Sequence, residues 1–329
     1  MTPLATRLWH DGGVQGHLLL TDCLEGELTR PAIEVALKDD KLLWLDLAEA
    51  GPDTIALLRD VFKIHPLAVE DAQEFSQRPK IEDYDSFVYL VVYGARGQDQ
   101  PLAEVHCFIS EHFLVTVHRD DIKAVPDACH TLTRLPTNRR LVALYRLLDH
   151  LVDSMFPYLA AFDDRIDELQ DRIFAKPTDG ELAEMFALKR QLVEVRKLVT
   201  PQRDMMSSML AQVIPIPGMT AETERYIRDL YDHLIRISDM VDSYRDLLSG
   251  SLDAYMSVVS NRLNDVMKRL TIIATVFLPL SFLTGFFGQN FGWLVNNLGS
   301  AGAFFGLGLG TEVVAVVLLL TLFRRRGWM

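Results

Sequence analysis

Hydrophobic and polar positions fall into stretches of different period. Up to about residue 140 the apolar residues come in short runs: Leu18-Leu19-Leu20, Leu42 to Leu47, Phe87 to Tyr93, Val105 to Ile109 and Phe113 to Val117. These runs are rich in Val, Ile, Phe and Tyr and are bounded by turn residues, which predicts strands. Glu111-His112 between the last two suits a hairpin. Pro52-Asp53, followed by Ile55, Leu57, Leu58 and Val61, predicts a helix start. Residues 1–140 therefore read as an α/β domain.

From residue 141 the period lengthens. Residues 141–200 read as a helical hairpin. Its first arm runs from Leu141 to Phe174, with a kink expected at Pro157. Pro177 to Gly180 makes the turn. The second arm runs from Glu181 to Val199 and is expected to stop at Pro201. The first arm ends in an acidic face, Asp163, Asp164, Asp167, Glu168 and Asp171, read as a solvated surface or a loose attractor of cations.

Ile214-Pro215-Ile216-Pro217-Gly218 breaks the chain before one long uninterrupted run from Thr220 to Gly288. Read as a single helix, that run would be roughly 100 Å long. Ile227, Leu230, Leu234, Ile237, Val241, Tyr244 and Leu248 alternate steps of three and four along it, the spacing of a helix-packing seam. Residues 201–269 read as a stalk and 270–289 as a first membrane span, which tolerates Pro279 better than a soluble helix would. Residues 290–301 form a short loop without charge, 302–323 a second span and 324–329 a basic tail. Lys268 and Arg269 precede the first span, and Arg324, Arg325 and Arg326 follow the second, so both termini are expected in the cytoplasm. Glu312 lies within the second span, where it is protonated, paired with a polar group on a neighbouring helix, or part of an ion path.

Composition narrows the class. The 329-residue chain carries a net charge of -12 yet ends in arginines beside an apolar segment. This asymmetry points to a cell-membrane protein with an acidic body that attracts divalent cations, and away from nucleic acid. Cys23, Cys107 and Cys129 are isolated, which argues against a disulfide framework or a structural zinc site and for a reducing cytosol. Met1 to Gly16 has no apolar core of a signal peptide. His106, His112 and His118 read as unconnected structural histidines. No phosphate loop, dinucleotide fingerprint or nucleophile elbow is present, so an enzyme is not expected and no organic cofactor is implied.

The first span has a second periodicity. Asn264, Met267, Leu270, Ala274, Leu278, Ser281 and Gly285 share one stripe. Turned toward an axis by several copies, Met267, Leu270 and Leu278 would form apolar rings able to stop ions by dewetting, and Asn264, Ser281 and Asn290 polar rings. Periodicity alone favours ordinary helix packing over a pore.

The segment from Asn264 to Gly285, ending in Gly288-Gln289-Asn290, resembles the pore helix of the CorA family of divalent metal ion transporters. Further resemblance lies in His65-Pro66-Leu67, Gln77-Arg78-Pro79-Lys80, Arg228-Asp229-Leu230-Tyr231-Asp232-His233 and Ser257 to Asn264, in the same order. The resemblance implies a funnel-shaped homopentamer whose first membrane helix lines the pore. Asn290 matches the asparagine of the family's Gly-Met-Asn signature, which rings the outer mouth. Neutral amide oxygens suit Mg²⁺, which releases its water reluctantly. Gln289 replaces the signature methionine. Co²⁺ and Ni²⁺ are further candidate cargoes, and transport of Zn²⁺, as by ZntB, is the alternative. A membrane-anchored scaffold without flux is the third reading.

The resemblance also implies regulatory Mg²⁺ at subunit interfaces that holds the channel closed. Asp229 matches one ligand position, and its partner is expected in the run Glu82, Asp83 and Asp85, with Asp83 favoured. Entry is expected to be driven by the membrane potential, worth about 2.3 kcal/mol per charge per 100 mV.

Overall fold

The computed structural model describes residues 16–20, 30–38, 43–97, 100–132, 140–290, 292–297 and 299–328. Met1 to Gln15 of the signal-peptide reading, Leu42, Cys23, the Cys129 side chain and loop residues 291 and 298 lie outside the described residues. The chain forms two compact units: Met1–Arg172 with Thr178–Ser251, and Ile173–Pro177 with Leu252–Met329.

The first unit holds a six-stranded sheet in the order β1-β2-β6-β5-β4-β3. The strands are β1 (Gly16–Leu20), β2 (Leu43–Leu47), β3 (Lys80–Asp83), β4 (Val88–Ala95), β5 (Leu102–Ile109) and β6 (Leu114–His118). β2 and β6 pair in parallel, and the other neighbours are antiparallel. Every residue of β2, β4 and β6 is buried, so these strands read as continuous apolar runs instead of alternating ones. The expected hairpin joins β5 to β6, and the Ser110 hydroxyl accepts from the backbone N–H groups of His112 and Phe113. β3 is absent from the sequence reading because Lys80-Ile81-Glu82-Asp83 carries one apolar residue in four.

Helices α1 (Arg30–Ala36), α2 (Pro52–Asp60), α3 (Pro66–Glu74) and α4 (Ala124–Leu132) accompany the sheet. The predicted first arm is two helices, α5 (Arg140–Asp153) and α6 (Met155–Ala175). Pro157 has no N–H to give to the carbonyl four residues earlier, at Asp153, and the helix breaks there. The Ser154 hydroxyl bridges the break, accepting from Ala95 N at 2.7 Å and donating to Leu151 O at 2.6 Å. α5 lies across β2, β4, β5 and β6. Gly94 makes this approach possible, since a Cβ there would sit 2.6 Å from Leu151 Cδ2 and 3.1 Å from Leu151 Cα.

The expected stop at Pro201 is corrected. α7 (Asp179–Leu210) runs through it. An internal proline costs about 3 kcal/mol. Beyond it Met205, Met206 and Met209 are buried, each a gain of about 1.5–3 kcal/mol. Gln202 adds a clasp on β4, accepting from Tyr93 N at 2.8 Å and donating to Tyr93 O at 3.3 Å. Burial therefore carries the helix past the proline. At the other end Thr178 and Glu181 form a capping box.

α8 (Ala221–Phe287) is continuous. Its seam is buried in the first unit: Ile227, Leu230, Leu234, Ile237 and Val241 are fully buried, and Tyr244 and Leu248 nearly so. Polar contacts tie α8 to α6 and α7, from Gln170 to Ser251 at 3.0 Å and from Lys189 to Ser249 at 3.3 Å.

The second unit contains the end of α8, then α9 (Gly292–Asn297), α10 (Ala301–Ala303), a π-helical turn (Phe304–Leu309) and α11 (Gly310–Arg325). Two helices, Ala221–Phe287 and Ala301–Arg325, contain stretches long and apolar enough to cross a membrane. Their apolar side chains are exposed: Leu270 by 59%, Phe277 by 64% and Leu278 by 73%. Such surface is stable only against lipid or other protein.

Candidate functional site

Two of the segments that carried the resemblance turn out to be architectural. The His65 ring accepts from Leu67 N and caps α3, with Pro66 in its first turn. After α3, Phe75 and Ser76 take φ values of 55° and 65°, unusual without glycine. Glu104 on β5 holds this turn, accepting from Ser76 N at 2.6 Å and Gln77 N at 3.0 Å. Its buried carboxyl also lies 3.1 Å from His106 Nε2. Burial alone would raise the Glu104 pKa, but His106, Gln77 and Tyr93 together lower it. Lys80 then pins the motif, 2.5 Å from Asp71 Oδ2 and 2.9 Å from Glu82 Oε1.

A cluster of potential metal ligands forms where α5 meets α8. Single ligand atoms of Asp149, Asp153 and His233 lie within 4.8 Å of one another. Asp149 and Asp153 are four residues apart and share a helix face. His233 Nδ1 is 3.3 Å from Asp153 Oδ1, and its Nε2 is 3.9 Å from Asp229 Oδ1. The ring is held edge-on by Phe156 at 5.8 Å. The half-buried Asp149 carboxyl is pushed above the usual carboxylate range by burial first and by the negative charge of Asp153 second; Arg146, 3.6 Å away, partly offsets this. Carboxylate oxygens are hard ligands of the kind that suit Mg²⁺.

Of the predicted regulatory pair, Asp229 borders this cluster. Asp83 is exposed, and its side chain accepts from Asp85 N at 3.0 Å. Among the described residues no hydrogen bond or ion pair joins Asp83 to Asp229. Sequence reasoning missed Asp149 and Asp153. Their i,i+4 spacing was visible, but their meeting with His233 depends on how α5 and α8 pack.

In the second unit the two apolar helices present matching stripes. Lys268, Ile272, Val276, Leu280, Leu283 and Phe287 on α8 are partly covered, as are Gly308, Glu312, Ala315 and Leu319 toward and along α11, where Phe323 is buried. Polar bonds close both ends. Lys268 Nζ donates to Gly327 O at 3.2 Å, and Thr284 Oγ1 meets Glu312 Oε1 at 2.8 Å. Glu312 is thus paired with a polar group on a neighbouring helix, one of the alternatives left open by the sequence. The opposite face of α8, comprising Asn264, Met267, Leu270, Ala274, Leu278, Ser281 and Gly285, is exposed throughout.

α8 ends at a turn in which Gly288 N donates to Thr284 O at 2.9 Å. A Cβ on Gly288 would lie 3.0 Å from that carbonyl, tight enough to favour glycine. Gln289 and Asn290 follow, exposed, and line a cavity of about 210 Å³ together with Phe287, Val295 and Phe304.

Residues 39–325 match the family described as CorA-like Mg2+ transporter protein. The chain belongs to that family. It is 35% identical over 288 residues to the cobalt/magnesium transport protein CorA of Thermotoga maritima, covering 84% of this chain and 80% of that one. It is 23% identical over 286 residues to the zinc transport protein ZntB of Yersinia enterocolitica, covering 84% and 86%. The CorA magnesium transporter from Methanocaldococcus jannaschii shares the fold, with a TM-score of 0.77 at 23% identity over 88% of this chain and 92% of that one.

Proposed function

We propose that this chain is a membrane transporter for divalent metal cations, with Mg²⁺ the principal cargo and Co²⁺ and Ni²⁺ further substrates. The observation that carries the reading is the largely uncovered face of α8 from Asn264 to Gly285, on the side away from the second span. In a homopentamer five such faces would enclose one axis. Met267, Leu270 and Leu278 would form the apolar constriction and Asn290 the outer amide ring, with Gly288 shaping its turn and Gln289 between them as a variant of the family signature. Residues 290–301 are the outer loop and 324–329 the inner tail, with both termini in the cytoplasm by the distribution of Lys and Arg.

The buried seam on α8 speaks against a scaffold that merely oligomerises through it, because Ile227 to Leu248 are already covered within one chain. Regulatory Mg²⁺ is assigned to the Asp149, Asp153 and His233 cluster with Asp229 at its edge, and Asp83 of a neighbouring subunit remains a candidate partner. Zn²⁺ transport is the second reading, favoured by the ZntB relatives and by the imidazole in the cluster.

The test is reconstitution of the full chain into liposomes with flux assays for Mg²⁺, Co²⁺, Ni²⁺ and Zn²⁺ under an inside-negative potential. Mg²⁺ entry that falls in Asn290→Ala supports the reading. A protein that passes none of these ions, or an Asn290→Ala variant with undiminished uptake and unchanged selectivity, removes the transport reading or the filter assignment respectively.

A further inference from the structure

The end of α11 is a closed turn. Gly327 takes a φ of 68°, the left-handed conformation that favours glycine. Its N–H donates to Arg324 O at 3.2 Å, and Trp328 N donates to Phe323 O at 2.9 Å. These two bonds make a Schellman cap, and the apolar contact that accompanies such caps is present: the Trp328 ring stacks on Phe323 at 5.8 Å. Lys268 on α8 donates from Nζ to Gly327 O at 3.2 Å. The turn therefore fastens the last residues of α11 to the start of the first apolar stretch.

What it gathers is unpaired positive charge. Lys268, Arg269, Arg324, Arg325 and Arg326 meet at this end, and between residues 266 and 328 the only acid is Glu312. Glu312 precedes Arg324 by twelve residues, about 18 Å along a helix. Asp265 stands one turn before Lys268 on α8. Among the described residues Arg269 and the three exposed arginines of α11 make no ion pair. Arginines on the acidic body are paired, as Arg172 with Glu184, Arg196 with Asp242 and Arg228 with Glu224. Trp328 is 39% exposed, and its indole N–H has no acceptor among the described residues.

We propose that this turn is a docking site for an anionic phospholipid. Arg324, Arg325 and Arg326, with Arg269 beside them, take the lipid phosphate through their forked N–H donors. The Trp328 indole lies at the membrane–water boundary, where tryptophan is enriched. Lys268, already given to Gly327 O, is a positioning residue. A lipid held there ties the start of the first span to the membrane surface through that bond. The site rests on the two apolar helices lying in a bilayer. It depends neither on the ion carried nor on which side faces the cytoplasm.

The full chain is placed in nanodiscs of phosphatidylcholine with a minor share of phosphatidylglycerol, and the lipids retained on release are counted by native mass spectrometry. Wild type should retain phosphatidylglycerol severalfold above its bulk share, and the excess should shrink as salt is raised. Each single Arg→Gln change at 324, 325 or 326 should weaken the preference about fivefold, and the triple change should abolish it. Lysine at all three positions keeps the charge and should retain the preference, so a misfolded glutamine variant cannot mimic the result. Gly327→Val keeps every charge but opposes the left-handed turn, and should also lose preference. Retention in the bulk ratio by wild type, or a preference intact in the triple variant, overturns the site. A preference untouched by Gly327→Val reduces it to diffuse charge and overturns it too. Displacement of the lipid by inorganic phosphate would assign the arginines to a free anion instead. Failure of wild type to enter nanodiscs removes the membrane reading and the site with it. Absent cation flux with the lipid preference intact removes the transport reading alone.

Discussion

His233 Nδ1 on α8 lies 3.3 Å from Asp153 Oδ1 at the end of α5, joining two residues far apart in the chain at one ligand cluster. Divalent cation binding there should stabilise the full-length protein, by about 2.7 kcal/mol at a hundredfold excess over Kd. The Asp149 pKa is raised by burial and by Asp153, so protonation of Asp149 stabilises the fold. That contribution is present at low pH and lost as pH rises through its folded pKa. Cation and proton therefore compete, and the Mg²⁺-induced rise in Tm should shrink on acidification. Thermal unfolding in detergent with and without Mg²⁺ measures this; an equal rise in Asp149→Asn with Asp153→Ala would remove the site.

Leu278 is 73% exposed on the uncovered face of α8. If that face encloses the pore, Leu278→Asn should wet the constriction and raise resting Mg²⁺ flux severalfold at high internal Mg²⁺. Proteoliposome flux is the measurement. Unchanged resting flux, with the protein still folded, places the gate elsewhere.

The buried His118 beside Asp46 predicts a pH dependence of stability. His118 Nε2 is 3.2 Å from Asp46 Oδ2, and Thr116 Oγ1 donates to Asp46 Oδ1 at 2.5 Å. Burial would lower the His118 pKa, but the hydrogen bond and charge of Asp46, helped by Asp120 O, raise it. A raised histidine pKa stabilises fully below its unfolded value, about 6.5, and the contribution fades as pH rises through the folded pKa. Asp46→Asn should therefore cost more at pH 5 than at pH 9, by about 1.5–3 kcal/mol. Denaturant unfolding at the two pH values checks the sign.

Gly94→Ala should destabilise the first unit by about 1–3 kcal/mol, because its methyl would meet Leu151 including that residue's backbone Cα at 3.1 Å. A Tm equal to wild type would show that α5 can yield at this point.

Much of the chain was legible in its pattern. The apolar runs around Leu45, Leu90, Phe108 and Val115 became strands because each is buried and bounded by turn residues. The seam from Ile227 to Leu248 was visible as alternating steps of three and four, and the membrane candidates as length and hydropathy, since both are properties of a single helix. β3 was missed because Lys80, Glu82 and Asp83 look like a loop until β4 pairs with them.

What the sequence determined by itself is local: helix faces, the two long apolar stretches and the glycine before Gln289-Asn290. The tertiary structure decided what depends on which faces meet. It carried α7 through Pro201 by burying three methionines. It brought Asp149 and Asp153 to His233. It also set Glu312 against Thr284. Each of these contacts joins residues from different elements, and periodicity along one helix holds no information about the partner that covers it.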